Sequence, residues 1–256
     1  MAKLKNDIKE GMIFNSDNFG DFLILNADSM RDVVVKFIKT GYIRSARSDS
    51  VRSGKVRDFM FPSVYGKGYT GEGIYSKAKD RKAYYKWRGC IQRCYDPKYL
   101  DKKPSYLGCS VCNEWLNFQS FAKWFYENYP NDGEDYCLDK DFKIIGNKIY
   151  SPESCLFVSM EVNSFITDCC AARGKYKIGA SLELSSGKFK AACQNPFTKK
   201  YENLGRYNND LSAHLAWRKR KSELSFILAN KQVNNDVRDG ILNYKNALDA
   251  NEIYPY

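Results

Sequence analysis

Residues 138–159 read LDKDFKIIGNKIYSPESCLFVS. The apolar and aromatic run YCLDKD (136–141) reads as a strand. FKIIGNKIYSPES follows as a loop, with Gly146 and Pro152 as turn makers. CLFVS is a second strand, and a helix is expected from about Met160 to Cys170. Strand, loop, strand and helix thus succeed one another in one short stretch. The first strand ends on a lysine between two carboxylates, Asp139, Lys140 and Asp141.

Upstream, Tyr84, Trp87, Ile91, Cys94 and Tyr95 recur at helical spacing over 81–95. A second helix is expected between Asn113 and Pro130, with Trp115, Phe118, Phe121, Ala122 and Phe125 as its buried stripe. The N-terminal segment runs through GMIFNS, GDFLILNA, RDVVVKFI and TGYIRSA, short β-branched stretches separated by tight turns, which suggest a small antiparallel barrel.

Downstream, Ile178, Ala180, Leu182 and Leu184 alternate with Lys177, Ser181 and Glu183. After the turn SSG, Phe189, Ala191 and Cys193 alternate with Lys188, Lys190 and Gln194. A short strand YENLGRY precedes a helix from about Asp210 to Ala229, whose apolar side can cover the sheet and leave a lysine-bearing face open. The fold class is α+β. The expected modules are a β-barrel at 1–75, a ββα module with flanking helices at 76–171, a three-stranded sheet with a helix at 172–231, and a polar tail, ordered only in part, at 232–256.

The chain has 256 residues, of which 43% are hydrophobic and 15% aromatic, so it can bury real cores. A formal charge of +11 points to a polyanionic partner. Its distribution is uneven: residues 172–231 hold 13 basic and four acidic side chains, whereas 1–75 hold 12 and nine. An odd count of nine cysteines suits buried thiols or metal ligands better than disulfides. No run approaches the ~20 apolar residues of a membrane span, and MAKLKNDIKEG lacks a signal-peptide core. A cytoplasmic protein with no membrane partner is expected.

Cys90 and Cys94 lie one helical turn apart and Cys109 and Cys112 form a Cys-x-x-Cys, a spacing that four-thiolate structural zinc allows; the alternative is that the helical pair is core. The only histidine, His214, falls inside LSAHLAW and is expected on or beside the sheet.

Through YKWRGCIQRCYD, YLGCSVCNEWLNFQSFAKW, LDKDFKIIGNKIYSPESCLFVS and EVNSF, residues 81–165 resemble the phage HNH homing endonucleases, the ββα-metal or His-Me finger group. The resemblance implies metal-dependent phosphodiester hydrolysis on double-stranded DNA, and host cytoplasm as the compartment. It makes Asp139 a ligand for Mg²⁺ or Mn²⁺, Asn163 the helix ligand and Asn147 the residue that holds the loop. Lys140 then stands where the family has its general-base histidine, and Asp141 is an additional carboxylate.

Histidine, with a reference pKa of ~6.5, is unprotonated near neutrality, whereas lysine at ~10.4 is charged. A general base contributes about 10²–10⁴ in rate, so the exchange bears directly on catalysis. An ammonium suits a phosphate better than it suits deprotonating water.

KIGASLELSSGKFKAACQ, NLGRY and SAHLAW resemble the APETALA-type DNA-binding domain. That resemblance implies a sheet in the major groove and maps base and phosphate contacts onto Arg173, Lys175, Lys177, Ser181, Lys188, Lys190 and Gln194. The N-terminal segment resembles small barrels of the Tudor or Src-homology type. Two other functions stay open: a non-catalytic finger serving a DNA-binding regulator, and an inhibitor that meets an acidic host protein with its basic face.

Overall fold

The computed structural model describes residues 7–167 and 175–252. The chain divides into two compact units, Met1–Tyr126 and Glu127–Tyr256.

In the first unit, β1 (Ile13–Ser16), β2 (Gly20–Ser29), β3 (Asp32–Phe37) and β4 (Ile43–Ala46) form an antiparallel meander in that order. Alternation puts Phe22 and Ile24 of β2, and Val33, Val35 and Phe37 of β3, on one buried face. The short helix α1 (Ser48–Arg52) adds Val51 to this core, and the segment after it adds Val56.

The expected barrel does not close: the sheet order ends at β1 and β4 with no pairing between them. Beside β1 lies instead the segment after α1. Ser16 donates its hydroxyl to the carbonyls of Val56 at 2.7 Å and Gly54 at 3.2 Å, and Asp17 N donates to Gly54 O. Four strands, two of them only four residues long, are too few for a closed barrel.

An irregular stretch leads from there into a mainly helical part. Helix α2 (Arg81–Tyr95) buries Ala83, Tyr84, Trp87, Cys90, Ile91 and Cys94, and is followed by α3 (Pro97–Lys102) and the short extended segment β5 (Ser110–Val111). The helix expected between Asn113 and Pro130 is two, α4 (Asn113–Leu116) and α5 (Phe118–Asn128). Between them Asn117 is extended, freeing Phe118 N to donate to Tyr69 O while Leu116 O accepts from Tyr69 N. Trp87 Nε1 donates to Trp115 O at 2.7 Å, satisfying a polar group inside this aromatic core.

The second unit begins with the hairpin of β6 (Tyr136–Asp139) and β8 (Leu156–Ser159), in register Leu138↔Phe157 and Asp139↔Leu156. Their connection includes the two-residue segment β7 (Ile149–Tyr150). Helix α6 (Met160–Ile166) follows, with the Ser159 hydroxyl accepting from Val162 N as its N-cap. The helix stops at Ile166, where Thr167 is extended, short of the expected Cys170, which itself lies outside the described residues.

Next come β9 (Ala180–Glu183), β10 (Lys188–Gln194) and β11 (Tyr201–Tyr207), ordered β11-β10-β9, and α7 (Asp210–Asn230). Helix α7 lies against this sheet and also against α8 (Asn235–Asp249), which occupies the stretch expected to be a polar tail. One core joins all of these pieces: Phe142, Val158, Val162, Phe165, Cys193, Trp217, Leu224, Leu228, Ile241 and Leu248 are buried together. No described helix is long and apolar enough to cross a membrane.

Candidate nucleic-acid interface and finger site

The three-stranded sheet has two chemically distinct faces. Ala191, Cys193 and Leu204 face α7, where Trp217 packs against the backbone so closely that a Cβ on Gly179 would overlap its indole. His214 is buried there as well, stacked on Trp217, with Nδ1 at 2.9 Å from Ile178 O. A carbonyl can only accept, so Nδ1 carries the proton. The imidazole is thus part of the sheet–helix interface.

On the open face, cross-strand partners share a side: Ser181 pairs with Lys190, and Lys190 with Arg206. Lys188 pairs with Glu183 and Gln194 with Tyr201. Ser181, Lys188 and Gln194 are exposed and Lys190 half-buried. Lys175 and Lys177 lie before β9 rather than on it, and Arg173 falls outside the described residues.

A bulge between Ala191 and Ala192, where Gly205 adopts φ +111°, shifts the register so that Asn203 pairs with Ala192. Asn203 and the largely exposed Tyr201 therefore join Arg206 on the open face, while Glu202 turns to α7. Strict alternation along β11 would have put Arg206 on the side opposite Tyr201 and Asn203. The face is not purely basic: Arg206 makes a bidentate pair with Glu183, at 2.7 and 2.8 Å, which holds that carboxyl down to about 2.

The basic run at 218–221 is occupied internally. Arg218 is buried and donates to Leu248 O, Asn251 Oδ1 and Asp249 O, closing the C-terminal end of α8. Arg220 pairs with Glu202 and Glu223. Lys221, also buried, donates to Phe165 O near the end of α6, with Nζ 3.5 Å from the centre of the Phe165 ring. Burial pushes its amine from the ordinary 10.5 down to about 8. Arg218, Arg220 and Lys221 of the basic run are therefore engaged within the protein, while Lys188 and Lys190 stand on the sheet's open face.

At the hairpin, Asp139 ends β6 and Asp141 N donates to its Oδ1 at 2.9 Å. Burial raises the Asp139 carboxyl, Asp141's charge adds to the shift, and backbone donors at Asp141 and Phe142 with Lys140 oppose it. Lys140 is 6% exposed and its Nζ donates to Asp141 Oδ1 at 2.7 Å, with the Tyr150 ring 5.9 Å away. Asn147 Nδ2 donates at 2.7 Å to both Lys140 O and Ile149 O, and its Oδ1 accepts from Ile149 N. One side chain thereby ties the end of β6 to β7. Asn163 lies half-buried on α6, a helix packed against both β6 and β8.

Carboxylate and amide oxygens suit a hard ion such as Mg²⁺ that keeps most of its waters. A raised carboxyl beside a second acid is also a place where a cation would relieve repulsion. Neither this site nor the described cysteines present a ready-made ligand set. Among the described residues no three His, Cys, Asp or Glu side chains gather as a metal-holding group. Cys90 donates its thiol to Lys86 O of its own helix, and burial pushes that thiol up, away from the thiolate a metal needs.

Comparison with family models, with curated proteins and with solved structures returns no match for this chain.

Proposed function

We propose that the protein binds double-stranded DNA through the open face of β9–β11 and carries the hairpin of β6 and β8, with α6, as a frame of the HNH nuclease type. The observation that supports this most is the uncovered row Ser181, Lys190 and Arg206, flanked by Lys188, Gln194, Asn203 and Tyr201. Lysine and arginine there would neutralise phosphates, and Gln194 and Asn203 offer the amide chemistry that reads adenine.

Metal-dependent hydrolysis is the second reading, favoured by the place of Asp139 at the end of β6 with Asp141 beside it and α6, which carries Asn163, packed on that strand. Asp139 and Asn163 would hold Mg²⁺ or Mn²⁺, and such an ion supplies charge stabilisation at phosphorus. Lys140, already a donor to Asp141, serves phosphate binding and not proton abstraction; Asn147 keeps the loop in place.

The test is incubation of the whole chain with supercoiled plasmid carrying its own gene, in Mg²⁺, Mn²⁺ or chelator. Retarded, un-nicked plasmid in every condition supports the binder. Metal-dependent nicking lost in Asp139→Ala makes the finger a nuclease, and absence of any complex refutes both.

A further inference from the structure

The first unit carries a cationic cleft of about 300 Å³ between the β4 edge, α1 and the strand-like segment that follows. Arg31, Arg44, Arg47, Lys55 and Arg57 line it, with Phe59, and no carboxylate is among its described lining residues. The nearby carboxylates of Asp49, Asp32 and Asp58 are engaged: Asp49 pairs with Arg47 at 3.1 Å, Asp32 accepts from the Ser45 hydroxyl, and the buried Asp58 accepts from the Thr40 hydroxyl and Met60 N. Arg31, Lys55 and Arg57 are exposed and have no acidic partner among the described residues.

Arg44 is fixed without being neutralised. Its Nε donates to Ser45 O at 3.2 Å, its Nη1 to Arg57 O at 3.1 Å, and its guanidinium lies 4.7 Å from the Phe59 ring centre. A guanidinium held by carbonyls and an aromatic face keeps its full charge and a set orientation. Like charges gathered at this density repel, and an anionic ligand would relieve that repulsion.

We propose that this cleft is a second DNA contact that grips backbone phosphates of a duplex. The chemistry favours a chain of phosphates over a single captured anion. A pocket for one small phosphate surrounds it with converging, buried donors, whereas here the uncompensated cations Arg31, Lys55 and Arg57 are exposed at the rim and come from two separate segments. Arginine forks and a lysine at such a rim suit phosphodiesters that pass by, without reading bases. The site extends the DNA reading to a surface that does not include the β9–β11 sheet, so each can fail alone.

The experiment measures binding of a fluorescein-labelled duplex by the whole chain against salt. Four proteins are compared: wild type, Arg31→Ala/Lys55→Ala/Arg57→Ala, Lys188→Ala/Lys190→Ala, and their combination. The three cleft residues are exposed, and a melting curve checks that the fold is kept. Neutralising three phosphate contacts should flatten the plot of log affinity against log salt by about two to three, at ~0.9 per contact. The same decrement is expected in the sheet-variant background.

An unchanged slope in the cleft variant overturns the proposal. So does tripolyphosphate binding that the cleft variant loses while its DNA slope stays put, since the cleft would then serve a free anion. Binding that survives in the sheet variant but falls in the cleft variant supports the cleft and removes the sheet reading. No duplex binding by wild type overturns both.

Discussion

Gly240→Ala separates helix propensity from packing. Gly240 lies within α8, where an alanine is ordinarily favoured by about 1 kcal/mol. In this protein a Cβ there would overlap ring carbons Cδ1 and Cε1 of Phe142 and stand 3.1 Å from that residue's carbonyl oxygen. Moving the ring alone does not remove the carbonyl contact, so backbone has to shift as well, at the upper end of the ~1–3 kcal/mol that overpacking costs.

The net expectation is a loss of about 2 kcal/mol, or several degrees in thermal unfolding. Phe142 follows Asp141 directly, so the same shift should also loosen the Lys140–Asp141 pair. The decisive control is Phe142→Ala, itself costing about 3–5 kcal/mol. In that background the ring overlap is gone and only the 3.1 Å carbonyl contact remains, so Gly240→Ala should lose most of its cost and come out near neutral, short of the full propensity gain. Stabilisation by Gly240→Ala in both backgrounds would refute the packing argument.

Lys221→Met tests the buried amine. A lysine whose folded pKa is lowered disfavours folding while charged, below about pH 8, and is relieved as pH rises toward its ordinary 10.5. Stability of wild type relative to the variant should therefore climb by about 3 kcal/mol across that window, and a flat difference would contradict it. Asp139→Asn addresses the raised carboxyl with the opposite dependence. Without divalent ions the variant should melt above wild type at neutral pH, with the gap closing as acid protonates Asp139. Added Mg²⁺ should narrow that gap by stabilising wild type alone, if the second reading holds.

Some of this fold was legible in periodicity. The stripe Tyr84, Trp87 and Ile91 gives α2 because helical spacing is written directly in residue identity. The apolar set Val237, Ile241, Tyr244 and Leu248 carried the same signal for α8, with Asn234 as its N-cap, but its many polar neighbours masked it. Sheet closure was not legible, because what lies beside β1 depends on a segment some 40 residues away.

The candidate site divides in the same way. Asp139, Lys140 and Asp141 are adjacent in the chain and stay together. That Arg206 shares a face with Asn203 and Tyr201 was not legible, because a bulge at Gly205 resets which side chains share a face. The internal roles within the basic run at 218–221 were not legible, since composition does not say that Arg218 closes one helix and Lys221 bonds the last turn of another.

The central claim is that the open sheet face holds DNA, and the most direct measurement is duplex affinity in chelator for wild type against Lys188→Ala/Lys190→Ala over a range of salt. Loss of two phosphate contacts should weaken binding at low salt and lower the slope by about two, at ~0.9 per contact. Superimposable curves for the two proteins would contradict the account.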